Sequence, residues 1–256
     1  MHDPARMNRK LEVILSLPEA QSLPERDLSQ TTCIVFDVLR ATTSMTMALA
    51  NGATSIRPAA EIEEAMTFYN ESKDALLAGE RQGLRILADQ TGGPDFHFGN
   101  SPREFDPEKV DGKELIMTTT NGTRALRSCD GAKSIYAASL LNVGATISML
   151  QADLPKHLIL VAAGTFEQAA YEDIIGCGAM VDAFVGEFED QADSAMIAKL
   201  VWQKEEPNLL EGLKRSKNGG RLWRKPDLRD DVPACAQLNT QNFVMPFADG
   251  RVKRSE

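Results

Sequence analysis

The chain has 256 residues and a formal net charge of −9 at pH 7, with 43% hydrophobic and 25% charged residues. This composition is typical of a soluble globular protein. The negative balance argues against a nucleic-acid-binding surface, although a local basic pocket for an anionic substrate stays compatible with it. No stretch approaches ~18 apolar residues, and the N-terminus lacks the apolar segment of a signal peptide. We therefore expect a cytoplasmic protein that makes no membrane contact.

The few cysteines and histidines exclude two further kinds of site. The four cysteines are far apart and form no CxxC pair, so they are expected to be reduced and mostly buried. With only three histidines in the chain, a histidine-built zinc site is not expected.

Strands and helices are predicted to alternate along most of the chain. Strands are predicted at 11–17, 32–37, 54–57, 75–78, 114–118, 134–138, 158–162 and 243–245, and helices at 43–51, 61–72, 122–129, 142–152 and 169–188. Residues 89–107 are rich in Gly, Pro, Asp and Asn, which predicts an irregular and functional loop. The alternation favours an α/β fold with three layers, α/β/α, around a mixed and largely parallel sheet. We expect one domain over 1–256, with a subdivision near 105–113 as the alternative.

Two segments of the chain resemble each other. Residues 39–56 and 120–135 both contain a strand end, a Thr-bearing turn, an Ala/Leu-bearing helix and a Gly-Ala-x-Ser-Ile strand. Either the chain consists of two similarly built halves, or the two segments share only a common α/β pattern. In both cases two helix N-termini of similar design are predicted, and they could face one pocket.

The stretch from Cys33 to Asn51 has the strongest functional pattern. A buried strand ends at Asp37, Arg40 follows, and three hydroxyl residues (Thr42, Thr43 and Ser44) begin a helix. Ligands bind at the carboxyl ends of strands in open α/β sheets, and helix N-termini favour anions. The pattern predicts a divalent cation and a phosphate group at this strand end. The alternative is that Asp37 only caps its own helix. A phosphoaspartyl mechanism would need a second acid at Leu39, so direct attack by water is preferred.

Other predicted strand ends carry similar polar residues. They are Glu80 and Arg81; Asn100 and Ser101; Thr120, Asn121, Gly122 and Thr123; Gly164 and Thr165; and the acidic pair Glu172 and Asp173. Each set has a plain structural alternative, such as an exposed ion pair, a turn or a helix cap. Oxygen donors dominate all of them, which favours Mg²⁺ over zinc, copper or iron.

These segments together resemble the 2-phosphosulfolactate phosphatase family. The motifs are DVLRATTS at 37–44, AGER at 78–81, GNSP at 99–102, TTTNGT at 118–123, SLLN at 139–142, AGT at 163–165, ED at 172–173, GGRL at 219–222 and DDVPAC at 230–235. The resemblance implies a Mg²⁺-dependent phosphatase of coenzyme M biosynthesis that converts 2-phosphosulfolactate to sulfolactate and phosphate.

The resulting hypothesis assigns roles to three sets of residues. Asp37, Arg40 and Glu80 are the predicted catalytic residues, and Asp37, Glu80, Glu172 and Asp173 are the predicted metal ligands. The predicted substrate-binding residues are Thr42, Thr43, Ser44, Arg81, Asn100, Ser101, Thr120, Asn121, Gly122, Thr123, Gly164 and Thr165. The expected partner is a small anionic phosphate ester, and a homodimer is an open alternative to a monomer. Two other functions stay open: a non-catalytic anion-binding protein, and a different enzyme acting on a phosphorylated 2-hydroxy acid.

Overall fold

A computed structural model describes residues 9–72 and 74–255 and contains one sheet of eleven strands. The strands are β1 (Lys10–Ile14), β2 (Thr31–Phe36), β3 (Ser55–Ala59), β4 (Leu76–Arg81), β5 (Leu84–Arg85), β6 (Glu114–Thr118), β7 (Ser134–Ala138), β8 (His157–Ala162), β9 (Asp190–Gln191), β10 (Met245–Ala248) and β11 (Arg251–Val252).

Twelve α-helices lie in the described part of the chain. They are α1 (Leu17–Gln21), α2 (Ala41–Ala50), α3 (Ile62–Glu71), α4 (Ala88–Thr91), α5 (Pro107–Val110), α6 (Gly122–Arg127), α7 (Val143–Ala152), α8 (Tyr171–Ala183), α9 (Asp193–Glu205), α10 (Leu209–Arg215), α11 (Lys217–Trp223) and α12 (Asp231–Cys235). None of the helices in these described segments has the length and apolar character needed to cross a membrane.

The sheet consists of two parallel groups of strands joined by a hairpin. Its order is β5-β4-β6-β3-β11-β10-β7-β2-β8-β1-β9. Strands β4, β6 and β3 are parallel to one another, as are β7, β2, β8, β1 and β9. The hairpin of β10 and β11 pairs antiparallel with β7 on one side and β3 on the other. The predicted α/β class with a mixed, largely parallel sheet is confirmed.

Helices α2 and α6 pack between the two groups of strands. One hydrophobic core joins Met45 and Leu49 of α2 and Leu126 of α6 to Val35 of β2 and Met117 of β6. Eight of the ten residues of α2 are buried, as expected for a helix enclosed by the core of the protein. The two resembling segments are β2–α2–β3 and β6–α6–β7, and each carries the chain from one group of strands to the other. The two helix N-termini are thereby brought together.

The chain departs from the predicted elements mainly at their ends. The first strand stops at Ile14, since α1 begins at Leu17 and Pro18 lies in its first turn instead of simply closing the strand. Glu80 and Arg81 lie inside β4 and pair with the unpredicted strand β5. The late strand starts at Met245, two residues beyond the predicted start at Phe243. The single domain and the subdivision near 105–113 stay predictions.

Candidate active site

Asp37 directly follows β2, and hydrogen bonds with the backbone and with Thr42 fix its position. Its Oδ1 accepts a hydrogen bond from the Ala41 backbone N–H at 3.0 Å. The Asp37 N–H donates to Thr42 Oγ1, and the same hydroxyl donates to the Asp37 carbonyl. These contacts use the backbone of Asp37 and one carboxylate oxygen, which leaves Oδ2 free to face the cleft that Asp37 lines.

Gly122 lies against the carboxylate of Asp37. A Cβ atom added at Gly122 would lie 2.6 Å from Asp37 Oδ2 and 2.7 Å from Ala41 Cβ. Only glycine therefore allows the start of α6 to approach the end of β2 this closely. This contact between α6 and Asp37 joins the two predicted strand ends into one site.

The electrostatic surroundings of Asp37 favour a cation. Burial raises the pKa of the Asp37 carboxyl from 3.8 to about 7, against the hydrogen bond from Ala41 that lowers it. The nearby carboxylates of Glu80 and Glu172 contribute to this rise in the pKa, while Arg40 opposes it. A buried acid with a perturbed pKa in a cleft is a typical functional group.

Arg40 reaches the same cleft and is held by a buried acid that was absent from the predicted site. Its Nη1 donates to Asp231 Oδ2 at 2.7 Å, and both side chains are almost completely buried. The other oxygen of Asp231 accepts hydrogen bonds from Ser101 Oγ at 2.6 Å and Arg103 Nε at 2.9 Å. Asp231 thus fixes the orientation of Arg40 and ties the 101–103 loop to α12.

Glu80 connects β4 to the start of the α6 turn. Its Oε1 accepts hydrogen bonds from both the N–H and the hydroxyl of Thr120, each at 2.9 Å. Its Oε2 accepts one from the Gly83 N–H at 2.5 Å. Three donors therefore hold the carboxylate, so Glu80 shapes the wall of the cleft.

The acidic pair at the start of α8 is buried, and its two members have different partners. Asp173 accepts backbone hydrogen bonds from Val38 at 2.7 Å and Gly164 at 3.0 Å. Burial raises the pKa of Asp173, and the charges of Asp37 and Glu172 raise it further. Burial also raises the pKa of Glu172, whose side chain lies near Ser216 and Asn218. The hydrogen bonds of Asp173 therefore connect the start of α8 to the turns that follow β2 and β8.

Several predicted substrate-binding side chains do not reach the cleft. The hydroxyls of Thr42, Thr43 and Ser44 donate to the backbone carbonyls of Asp37, Val38 and Asn100. These hydroxyls are occupied by the fold, so the geometry gives their predicted phosphate contact no support.

Three more predicted residues have partners outside the cleft. Thr123 is hydrogen-bonded to Thr119, Ser101 to Asp231, and Arg81 to Thr118. Their predicted substrate contacts are likewise without support, since these side chains connect neighbouring elements.

The cleft encloses about 460 Å³ including its open mouth and combines predicted and unpredicted residues. The predicted residues that line it are Asp37, Arg40, Glu80, Asn100, Thr120, Asn121, Gly164 and Thr165. The sequence reasoning missed Leu39, Gln82, Gly83, Phe166, Asn218, Arg221 and Leu222. For Arg221, Leu222 and Asp231 a signal existed, because they lie in the GGRL and DDVPAC segments of the noted resemblance.

The donors available for a metal ion are few. In residues 9–72 and 74–255, no three His, Cys, Asp or Glu side chains converge as a metal site. Glu80, Glu172 and Asp173 lie close enough to Asp37 for their charges to interact, but they do not form such a group with it, and their role as metal ligands stays a prediction. Asn100 Oδ1, by contrast, is buried without a hydrogen-bond partner, alone in this respect among the side-chain N and O atoms of the described residues. Asp37 Oδ2 and Asn100 Oδ1 are consequently two oxygen donors that the fold leaves available.

Comparison with known proteins agrees with the resemblance. A family model described as 2-phosphosulpholactate phosphatase matches residues 18–250. A probable 2-phosphosulfolactate phosphatase of Symbiobacterium thermophilum is 36% identical over 236 residues, covering 90% of this chain and 96% of the relative. Proteins with the same description from Clostridium acetobutylicum (32% identity, 95% of this chain and 99% of the relative) and Clostridium perfringens (34% identity, 96% and 97%) also match. The chain therefore belongs to the 2-phosphosulfolactate phosphatase family.

Proposed function

We propose that this protein hydrolyses 2-phosphosulfolactate, or a closely related phosphorylated 2-hydroxy acid, to the free alcohol and phosphate, and that it depends on Mg²⁺. The observation that carries the proposal is the pairing of Asp37, with a free carboxylate oxygen, and Arg40 in one cleft. A carboxylate and a guanidinium side by side suit a phosphate that arrives with a cation. The names of the matched relatives support the choice of substrate.

The donor set of the cleft is compatible with Mg²⁺. In proteins Mg²⁺ keeps several waters and is held through one or two carboxylates plus the substrate phosphate, so a cluster of three acids is not required. Asp37 and the unpartnered Asn100 Oδ1 would hold the ion. When bound, Mg²⁺ would polarise the phosphoryl oxygens and provide a more acidic water.

The protein's own groups would place and stabilise the phosphoryl group. Arg40, fixed by Asp231, would donate to the phosphoryl oxygens that gain charge in the transition state. Thr120 and Asn121 would form the opposite wall, held in place by Glu80. A water oxygen would form the new bond to phosphorus while the ester P–O bond breaks. The proton released by this water would end on the leaving alkoxide. We favour this direct attack, since Leu39 stands where a phosphoaspartyl mechanism would need its second acid.

The test is phosphate release from 2-phosphosulfolactate, 2-phospholactate and simple alkyl phosphates, with added Mg²⁺ and after treatment with EDTA. We expect the fastest turnover with the first two substrates, loss of activity in EDTA and recovery on adding Mg²⁺. Activity that persists at full rate in EDTA would contradict the metal dependence.

Two further measurements on the same esters separate the alternative functions. Calorimetric binding of these esters without phosphate release would indicate a non-catalytic anion-binding protein. Products other than the free alcohol and phosphate in the phosphorus NMR spectrum would indicate a different enzyme. Either result would overturn the proposed hydrolysis.

A further inference from the structure

Arg221 of α11 lines the same cleft as Asp37 and Arg40. Its Nη2 donates to the neutral amide Oδ1 of Asn218 at 2.7 Å. Within the described segments, no carboxylate forms an ion pair with its guanidinium. Its guanidinium carbon also lies 5.6 Å from the centre of the Phe166 ring, within the range of a cation–π contact. Arg221 is thus held in place by neutral groups and forms no direct ion pair, while its charge opposes the rise that burial causes in the pKa of nearby Glu172.

The loop beneath Arg221 presents Phe166 in an unfavourable backbone conformation. Thr165 and Gln168 exchange two backbone hydrogen bonds, at 2.8 and 3.1 Å, and so close a two-residue turn. Phe166 and Glu167 in this turn have φ angles of 48° and 61°, a region that disfavours bulky side chains. The Phe166 ring is nevertheless 51% exposed at the cleft, where it contributes little to the core. A strained turn that places an exposed aromatic ring under an arginine is typical of a binding surface.

The two arginine side chains of the cleft therefore differ in whether they form an ion pair with an acidic residue. Among the described residues that line the cleft, Arg40 and Arg221 are the two basic side chains. The charge of Arg40 is balanced by buried Asp231, which supports a fixed role at the phosphoryl group. Arg221 has unused N–H donors in a planar fork that matches an oxyanion. The cleft thus offers negative charge a second guanidinium beside that of Arg40, since both arginines lie against Gly83.

We propose that Arg221, supported by Asn218 and Phe166, binds a second oxyanion of the substrate, a sulfonate or carboxylate that does not react. The residue would select phosphate esters that carry a further negative group over those that do not. This inference rests on the proposed phosphatase function for its kinetic test but not for its binding test. Arg221 touches substrate and sets specificity, whereas the bond-breaking groups lie around Asp37.

The kinetic test compares Arg221→Gln and Arg221→Lys with Arg224→Gln as the matched control. Arg224 follows one turn later, is exposed and lies outside the cleft. On 2-phosphosulfolactate we expect Arg221→Gln to raise KM by about 10- to 100-fold, the loss of a charge-assisted contact, with kcat changed much less. Arg221→Lys should recover part of the loss, and Arg224→Gln should behave like the wild type.

The choice of substrates identifies the group that Arg221 binds. Isopropyl phosphate has no second anion, so its KM should be the same in wild type and Arg221→Gln. If the wild-type preference for 2-phosphosulfolactate over 2-phospholactate disappears in the variant, Arg221 binds the sulfonate. If that preference stays but both acids lose their advantage over isopropyl phosphate, Arg221 binds the carboxylate. An equal loss on all three esters, or no loss on any, would overturn the inference.

A binding measurement keeps the inference independent of turnover. Calorimetry with sulfolactate, which has no phosphate, should show at least about tenfold weaker binding to Arg221→Gln than to the wild type. Equal affinity would contradict the inference. A wild type that binds sulfolactate through Arg221 but releases no phosphate from any ester would refute the proposed hydrolysis and leave the second-anion site standing.

Discussion

At the scale of single residues, the carboxylate of Asp37 makes the folded state sensitive to pH. Burial raises the pKa of this group from 3.8 to about 7 in the folded protein. An unfolded chain releases this proton near pH 3.8, whereas the folded chain keeps it until about pH 7. The folded state therefore loses free energy of unfolding as the pH rises through this window. The buried negative charge that catalysis needs thus lowers the stability of the folded protein.

Replacing Asp37 by Asn removes this destabilising ionisation. In metal-free buffer we expect Asp37→Asn to unfold at higher urea concentration than the wild type at pH 8, with a gain of about 1–3 kcal/mol that shrinks towards pH 4. The Asn oxygen can still accept the hydrogen bond from Ala41. Urea denaturation across pH 4–8 measures the difference, and Asp227→Asn is the control at an exposed acid. A variant less stable than the wild type at pH 8 would show that the charge of Asp37 is compensated.

The buried pair of Arg40 and Asp231 makes the opposite prediction. Asp231→Asn leaves the guanidinium of Arg40 buried without a counter-charge, so we expect a loss of about 3 kcal/mol in the free energy of unfolding. The matched control is Asp230→Asn, because the neighbouring Asp230 side chain is 68% exposed and lies 3.6 Å from Arg103. Chemical denaturation at pH 7 gives both values. Equal effects of the two substitutions would mean that Asp231 does not balance the charge of Arg40.

At the scale of elements, the site depends on two turns that meet at a glycine. Asp37 follows β2 and Gly122 begins α6, and these elements belong to the two segments whose sequences resemble each other. The sequence pattern predicted two similar helix N-termini and suggested that they face one pocket. Gly122 shows how closely they approach, since its missing side chain leaves the space for Asp37 Oδ2.

Gly122→Ala should therefore damage the site more than the addition of one methyl group would elsewhere. The new Cβ would collide with the carboxylate of Asp37 and with Ala41. Because the displacement of a reacting group slows the reaction, we expect kcat to fall by at least about tenfold. Gly93→Ala is the control, because its Cβ would approach only the flexible end of Met66, at 3.2 Å. Steady-state kinetics measures both variants. Unchanged kcat in Gly122→Ala would show that the position of Asp37 tolerates displacement.

The sequence predicted elements and strand ends better than it predicted side-chain partners. The strands from Glu114 to Thr118 and from Ser134 to Ala138 match in full, because buried β-branched and apolar runs mark them clearly. The hydroxyls of Thr42 and Thr43 were expected at the phosphate but bond to carbonyls of their own turn, and that of Ser44 bonds to the carbonyl of Asn100. Local patterns cannot distinguish these two uses of a hydroxyl, since both require Ser or Thr at a helix start.

At the scale of the whole molecule, the hairpin of β10 and β11 at the C-terminal end joins the two groups of strands. Val252 pairs with Ile56 of β3, and Met245 pairs with Ala137 of β7. The hairpin thereby makes the two groups of strands into one continuous sheet. Asp231, Asn218 and Arg221 come from the same C-terminal third of the chain, more than 170 residues after Asp37. Arg221 and Asp231 lie in segments that carry the family resemblance, but no local pattern shows that these residues reach the cleft or Arg40, so the sequence reasoning assigned them no role.

Val252→Ala tests the structural role of this hairpin. The Val252 side chain is completely buried, so we expect a loss of about 1–3 kcal/mol in the free energy of unfolding. Lys253→Ala, at the next and exposed position, should change it by less than about 0.5 kcal/mol. Urea denaturation measures both. Equal and small effects would mean that the hairpin contributes little to the sheet.

The central claim is that Asp37 is the reacting centre of a phosphatase. The most direct measurement is the rate of phosphate release from 2-phosphosulfolactate by equal amounts of folded wild type and Asp37→Asn, both with Mg²⁺. We predict that the wild type releases phosphate and that Asp37→Asn lowers kcat by at least about 100-fold while its unfolding transition is retained. A variant that releases phosphate at the wild-type rate would contradict the assignment of this cleft as the active site.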